Sequence, residues 1–136
     1  AILSFVEFDQ FGNINVSKLG ADYYGCGGYI DICHAAKKII FVGSFKAKGL
    51  IVKKSKDDIS IVNEGKIQKA VKNVKEITFS PINHNKRKDE IKIITERCIF
   101  MIDDGKVILK NVFPGIDIKK DILDQMEFKP QIDLPN

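Results

Sequence analysis

Four apolar residues in a row, Ile39, Ile40, Phe41 and Val42, sit between Lys37–Lys38 and Gly43, and they constrain the fold more than any other stretch. An uninterrupted apolar run bounded by charge and glycine predicts a central β-strand covered on both faces. Shorter strands are expected around it. From Leu3 to Val16 two stretches rich in β-formers flank DQFGN, where Gly12 and Asn13 tolerate the positive φ of a tight turn, so the chain opens on a hairpin. GLIVKK, DDISIVNEG and KAVKNVKEITF alternate apolar with charged residues, the pattern of antiparallel strands with one wet face. Two further runs, IKIITERCIFMI and GKVILKNVF, meet at a turn of Asp103, Asp104 and Gly105.

Helices are few. Asp31 is placed to cap a short helix running to about Lys37. Asp117 is placed to cap a second, whose Ile118, Ile122, Leu123 and Met126 share a face and which Pro130 would stop. The expected class is therefore α/β, an open mixed β-sheet with flanking helices.

The 136 residues, 44% of them hydrophobic, suffice for one domain with a core. The formal charge of +4 comes from 22 Lys plus Arg set against 18 Asp plus Glu. The cations are nearly all lysines scattered among acids, which favours a solvated surface over a nucleic-acid face. No apolar run reaches the ~18 residues of a membrane span, and nothing at the start has the order of a secretory signal. The sequence thus reads as cytoplasmic, with neither membrane nor nucleic acid as a partner. Cys26, Cys33 and Cys98 form no C-x-x-C pair, which argues against a disulfide framework or structural zinc. Because Ala1 comes first and Leu3–Phe8 already reads as mid-strand, the expectation is of a fragment or a processed half.

The chemistry concentrates in GADYYGCGGYIDI, where Gly25, Gly27 and Gly28 precede the first helix. A G-x-G-G loop entering a helix offers consecutive amides unshielded by side chains, able to hold a phosphate or an oxyanion. The plainer alternative is a glycine turn that lets the helix pack tightly on a strand. A Walker-type loop is absent, and Ile30 stands where G-x-G-x-x-G needs its last glycine.

FGNINVSKLG, GCGGYIDI followed by AAKKIIFVGSFKAKGL, ITERCIF and PGIDIKKDILDQMEFKP together resemble the C-terminal part of class I coenzyme A transferases, of the acetate, propionate and 3-oxoacid type. That resemblance implies a CoA-transferase C-terminal subdomain of the NagB/RpiA-like kind, with residues 1–136 a single domain from the C-terminal, beta-type half. It also implies transfer of CoA from a short-chain acyl-CoA to a carboxylic acid through a glutamyl-CoA thioester. Coenzyme A would be a substrate rather than a resident cofactor. In that family the nucleophilic glutamate lies in a Glu-x-Gly signature upstream. None is found here, and neither Glu7 nor Glu96 matches it. The chain alone is therefore expected to be inactive, to associate with the N-terminal remainder of the same enzyme, and to form a homo-oligomer.

The resemblance makes the amides of Gly27 and Gly28 oxyanion donors and adds Gly25, Asn15, Ser17, Lys46 and Lys48 as CoA-binding candidates. Lys46 and Lys48 depart from the threonine and glycine usual in relatives, and have an ordinary surface role as the alternative. Cys26 could be a thiol nucleophile, but a small buried residue fits better because the nearest histidine is His34. His34 and His84 are too poorly supplied with neighbours for a metal site. HNKRKDE reads as a solvated loop, and Thr95, Glu96 and Arg97 as an exposed strand end, with a Glu–Arg pair supporting the site as the alternative. A non-catalytic phosphate- or nucleotide-binding module remains the competing function. A nucleic-acid protein is a distant third.

Overall fold

A computed structural model describes residues 1–83 and 90–135. Six strands form the main sheet and lie side by side in chain order: β1 (Ile2–Leu3), β2 (Lys38–Val42), β3 (Glu90–Ile94), β4 (Cys98–Asp103), β5 (Lys106–Val112) and β6 (Gln131–Ile132). β1, β2 and β3 run parallel, β3 to β5 antiparallel, and β6 parallel to β5. The sheet is mixed and the class is α/β, with little helix. The described residues contain no helix long and apolar enough to cross a membrane.

β2 is central, but it is not covered equally on both faces. Ile39 and Phe41 are buried, Ile40 is half-buried and Val42 is 43% exposed. The helix α1 (Tyr29–Ala35) sits on the Phe41 side, its Tyr29 ring stacked at 6.3 Å. Asp31 does not cap α1. Gly28 is the N-cap and no side chain accepts there, while Asp31 lies in the first turn, where its charge still complements the helix dipole.

The opening hairpin pairs Glu7–Asp9 with Ile14–Asn15 and adds Ala70–Val71 as a parallel neighbour. It packs Phe8 against Phe100 of β4 at 5.6 Å, joining the two sheets through an aromatic core. Most of KAVKNVKEITF is not strand. Beyond Val71 the Asp9 carboxylate accepts from the amide of Val74 and Glu7 from that of Lys75, so side chains take donors that a ladder would have used. Ile51–Lys54 and Ile59–Asn63 form the expected antiparallel hairpin. At the β4–β5 turn Asp104 and Gly105 have φ of 50° and 68°, the left-handed pair a tight hairpin requires.

Asp117 does cap the last helical segment, its Oδ1 accepting from the Lys120 amide at 2.7 Å. The segment is wound wide over Ile118–Ile122 and tight over Leu123–Gln125, rather than as one α-helix. Arg97 draws the Asp121 carbonyl out of the helical pattern. The segment also ends well before Pro130, because the amide of Glu127 pairs with the Ala70 carbonyl.

Candidate functional site

The glycine loop lies on the surface. Gly25, Gly27 and Gly28 are exposed and Cys26 is half-buried. None of the four amides from Gly25 to Gly28 donates to a protein acceptor among the described residues; the loop's own bonds run from Tyr29 N–H to the Cys26 carbonyl and from Ile32 N–H to the Gly28 carbonyl. A Cβ built on Gly25 or Gly27 would meet nothing within 4 Å, and one on Gly28 would meet only Ile32 at 3.9 Å. Tight packing on this chain therefore does not explain the missing side chains. Gly27 alone has a backbone reason, a φ of +55°.

The loop is anchored at both ends. The Tyr29 hydroxyl donates to the Ser4 carbonyl at 2.7 Å, just past β1, and burial pushes its phenol well above the usual range. At the other end the Tyr24 amide donates to the Ser17 carbonyl, and Ser17 Oγ meets Thr78 Oγ1 at 2.9 Å. The loop is thus fixed beside the carboxyl ends of parallel strands, the usual place for ligands in such sheets. Ser17 belongs to this support. Asn15 is fully buried, with Nδ2 donating to Glu7 and the Lys18 carbonyl while Oδ1 accepts from the amides of Ser17 and Lys18. Its side chain braces the turn behind the loop.

Thr95, Glu96 and Arg97, also at a strand's carboxyl end, are not an exposed strand end. Thr95 is 4% exposed and Arg97 0%. Arg97 donates from Nε to Glu96 at 2.6 Å, from Nη1 to Glu64 and the Asp121 carbonyl, and from Nη2 to Glu64. Its guanidinium also lies 4.8 Å from the Phe45 ring centre. Glu96 accepts the Phe45 amide with its other oxygen at 2.6 Å. Burial works to raise the Glu64 carboxyl, yet the bonds from Arg97 and the Gly65 amide outweigh it and hold the group below its ordinary range. Burial would likewise weaken the Arg97 proton, but its two carboxylates raise the pKa overall.

The two lysines are split. Lys46 is buried rather than on the surface, its Nζ donating to Gln125 Oε1 at 2.7 Å. Lys48 is exposed, with φ of 64° in a turn before Gly49. Neither side chain bonds to the glycine loop among the described residues. Glu7 is buried and bonded to Asn15 and the Lys75 amide, a structural post. Cys33 and Cys98 are buried, and burial pushes the Cys98 thiol up to about 12. His34 is exposed on α1 beside a cavity of about 400 Å³ that Asp31, Thr78 and Ser80 also line. His84, with HNKRKD, lies outside the described residues. Sequence reasoning missed Glu64, which meets Arg97 across 33 positions, and Lys69, which is 8% exposed with its Nζ 4.3 Å over the Phe5 ring. No local pattern marks either.

No protein-family model matches the chain. It is 42% identical over 137 residues to the caffeate CoA-transferase of Acetobacterium woodii, covering 97% of this chain and 26% of that protein. The resemblance to the CoA-transferases holds along the whole chain. Acetate CoA-transferase YdiF of Escherichia coli strain K12 is 41% identical over 130 residues, covering 96% and 24%. The crystal structure of the acyl-CoA transferase YdiF from E. coli O157:H7 superposes with a TM-score of 0.94 at 39% identity, covering 99% of this chain and 27% of that one. A thioester complex of that protein with CoA matches at 0.93. The chain spans about a quarter of the length of these CoA-transferases, in keeping with a C-terminal part of such an enzyme.

Proposed function

We propose that this chain supplies the oxyanion-holding glycine loop of a CoA-transferase that moves coenzyme A from a short-chain acyl-CoA to an acid such as acetate, propionate or acetoacetate. A glutamate carboxylate from a part of the enzyme outside residues 1–136 attacks the acyl carbonyl, giving an acyl anhydride and CoA thiolate. The thiolate then attacks the glutamyl carbonyl, and a glutamyl-CoA thioester forms as the acyl carboxylate leaves. Each attack places negative charge on a carbonyl oxygen, and each tetrahedral species is stabilised by donors already aimed at that oxygen.

One observation carries this reading: among the described residues the amides of Gly27 and Gly28 have no protein acceptor, and no packing contact requires the absence of side chains there. The loop is free to approach a thioester closely. With seven residues, α1 adds little dipole, so the donors themselves supply the stabilisation. Gly25 shapes the loop, and Ser17 holds it in place. The same reading assigns the enzyme to the cytoplasm and to short-chain acid and ketone body metabolism, as a homo-oligomer whose N-terminal part completes the sheet.

The test is to mix the whole protein with acetyl-CoA and map covalent CoA by peptide mass spectrometry. The adduct is expected on a glutamate outside residues 1–136, and the isolated chain is expected to show no turnover. An adduct on Cys26, or none anywhere, would overturn the proposal.

A further inference from the structure

The two faces of the six-stranded sheet are covered unequally. One row of paired residues, Phe41, Ile93, Phe100 and Leu109, crosses β2 to β5, and all four are fully buried. The adjacent row, Ile40, Lys92, Met101 and Ile108, is in register across the same strands, and none of its residues is buried. Successive residues of a strand point to opposite faces, so the second row lies on the face away from the aromatic core. Ile2 extends it onto β1 at 73% exposed. Two residues further toward the carboxyl ends of β2 and β3, Val42 pairs with Ile94 and Ile94 with Ile99. Leu50 and Val52 line a cavity of about 510 Å³ with Val42 and Ile94, and still leave Val42 43% exposed. Toward the amino ends the face turns polar, with Lys38 opposite Glu90 and a Glu90–Lys92 ion pair at 2.8 Å.

An apolar centre with a charged rim is the composition of a surface that another element covers. Parallel strands are ordinarily buried on both faces by their crossover helices. α1 lies between β1 and β2 on the core side, its Tyr29 against Phe41. Right-handed crossovers put helices on the opposite face only where the strands succeed one another in the opposite direction, outward from β1. Such strands lie outside residues 1–136, and this chain spans about a quarter of the relatives' length. We infer that amphipathic helices from the part of the enzyme outside residues 1–136 pack on this second face, their apolar stripe over Ile40, Met101 and Ile108 and carboxylates at the rim against Lys38. Lys38 has no ion-pair partner among the described residues. The inference goes beyond the chemistry proposed for the glycine loop and is independent of it.

The experiment uses the whole protein and two probes. The Met101 thioether takes up oxygen from peroxide where water reaches it, and beneath the helices its oxidation should be at least about tenfold slower than in urea-unfolded protein. A diazirine-bearing lysine in place of Lys92 keeps the charge and the chain length in the middle of the row. On irradiation it should cross-link within one polypeptide to a segment outside residues 1–136 whose apolar residues recur at i, i+3, i+4 and i+7. Met101 oxidation at the unfolded rate, a cross-linked product with the mass of two chains, or insertion only into water or residues 1–136 would each overturn the inference.

Discussion

The glycine loop and the Arg97 cluster both lie beside the carboxyl ends of parallel strands, and they treat their polar groups in opposite ways. Arg97 is fully buried, and its guanidinium makes four hydrogen bonds to Glu64, Glu96 and Asp121. At the loop, the amides from Gly25 to Gly28 stand without a protein acceptor among the described residues. The first region is complete within the chain and contributes structure. The second is hydrogen-bonded at its two ends and leaves the amides between them open, which is what the proposed oxyanion role needs.

Breaking the closed region should have the largest effect on stability. Arg97→Met leaves Glu64 and Glu96 as half-buried charges without their cation, and is expected to cost about 3–5 kcal/mol in urea unfolding. The glycines sharpen the contrast. Gly12 has φ of +79° and its Cβ would lie 2.6 Å from Ile102, so Gly12→Ala combines overpacking with backbone strain and should cost about 2–3 kcal/mol. Gly27→Ala meets no neighbour and carries only the strain of φ +55°, about 1 kcal/mol. Gly25→Ala should stay within about 0.5 kcal/mol. If Gly25→Ala destabilises as much as Gly12→Ala does, the loop is a packing turn and the comparison collapses.

Acid offers another route to the closed region. The folded carboxyl of Glu64 lies below its unfolded value, so it favours folding at pH above the ordinary glutamate range of about 4.3. That contribution is lost as pH falls through the depressed folded value. Glu64→Gln should flatten the acid limb of a stability–pH curve, and an unchanged limb would show that the cluster holds no titrating carboxylate. The smallest effect is chemical. Cys26, half-buried in the loop, should take up an alkylating reagent in the native protein, while Cys33 and Cys98 stay protected until unfolding. Native labelling at Cys98 would contradict its burial.

The contrast also marks what was legible in sequence. β2, the β4–β5 turn and the loop itself were readable because each is written in adjacent residues: an apolar run, Asp104–Gly105, and GCGG. The Arg97 cluster was not, because Glu64 and Arg97 meet only through the tertiary fold and TER between apolar runs looks like a solvated end. The same limit applies to KAVKNVKEITF, where alternation suggested strand but the buried carboxylates of Glu7 and Asp9 captured the amides of Lys75 and Val74. The last helix showed its cap at Asp117 plainly, while its length was set by Arg97 and Ala70, which its own residues could not reveal.

The central claim is that backbone donors in this loop stabilise a developing oxyanion. Gly28 has φ of −83°, close to what proline adopts, so Gly28→Pro deletes its N–H, while the ring also crowds the left-handed backbone of Gly27. Measured in the whole enzyme, kcat for CoA transfer should fall by about 10²–10³ in Gly28→Pro and by far less in Gly28→Ala, which keeps the N–H, with both variants folded at the assay temperature. A Gly28→Pro enzyme that is equally stable and turns over at the unaltered rate would contradict the account.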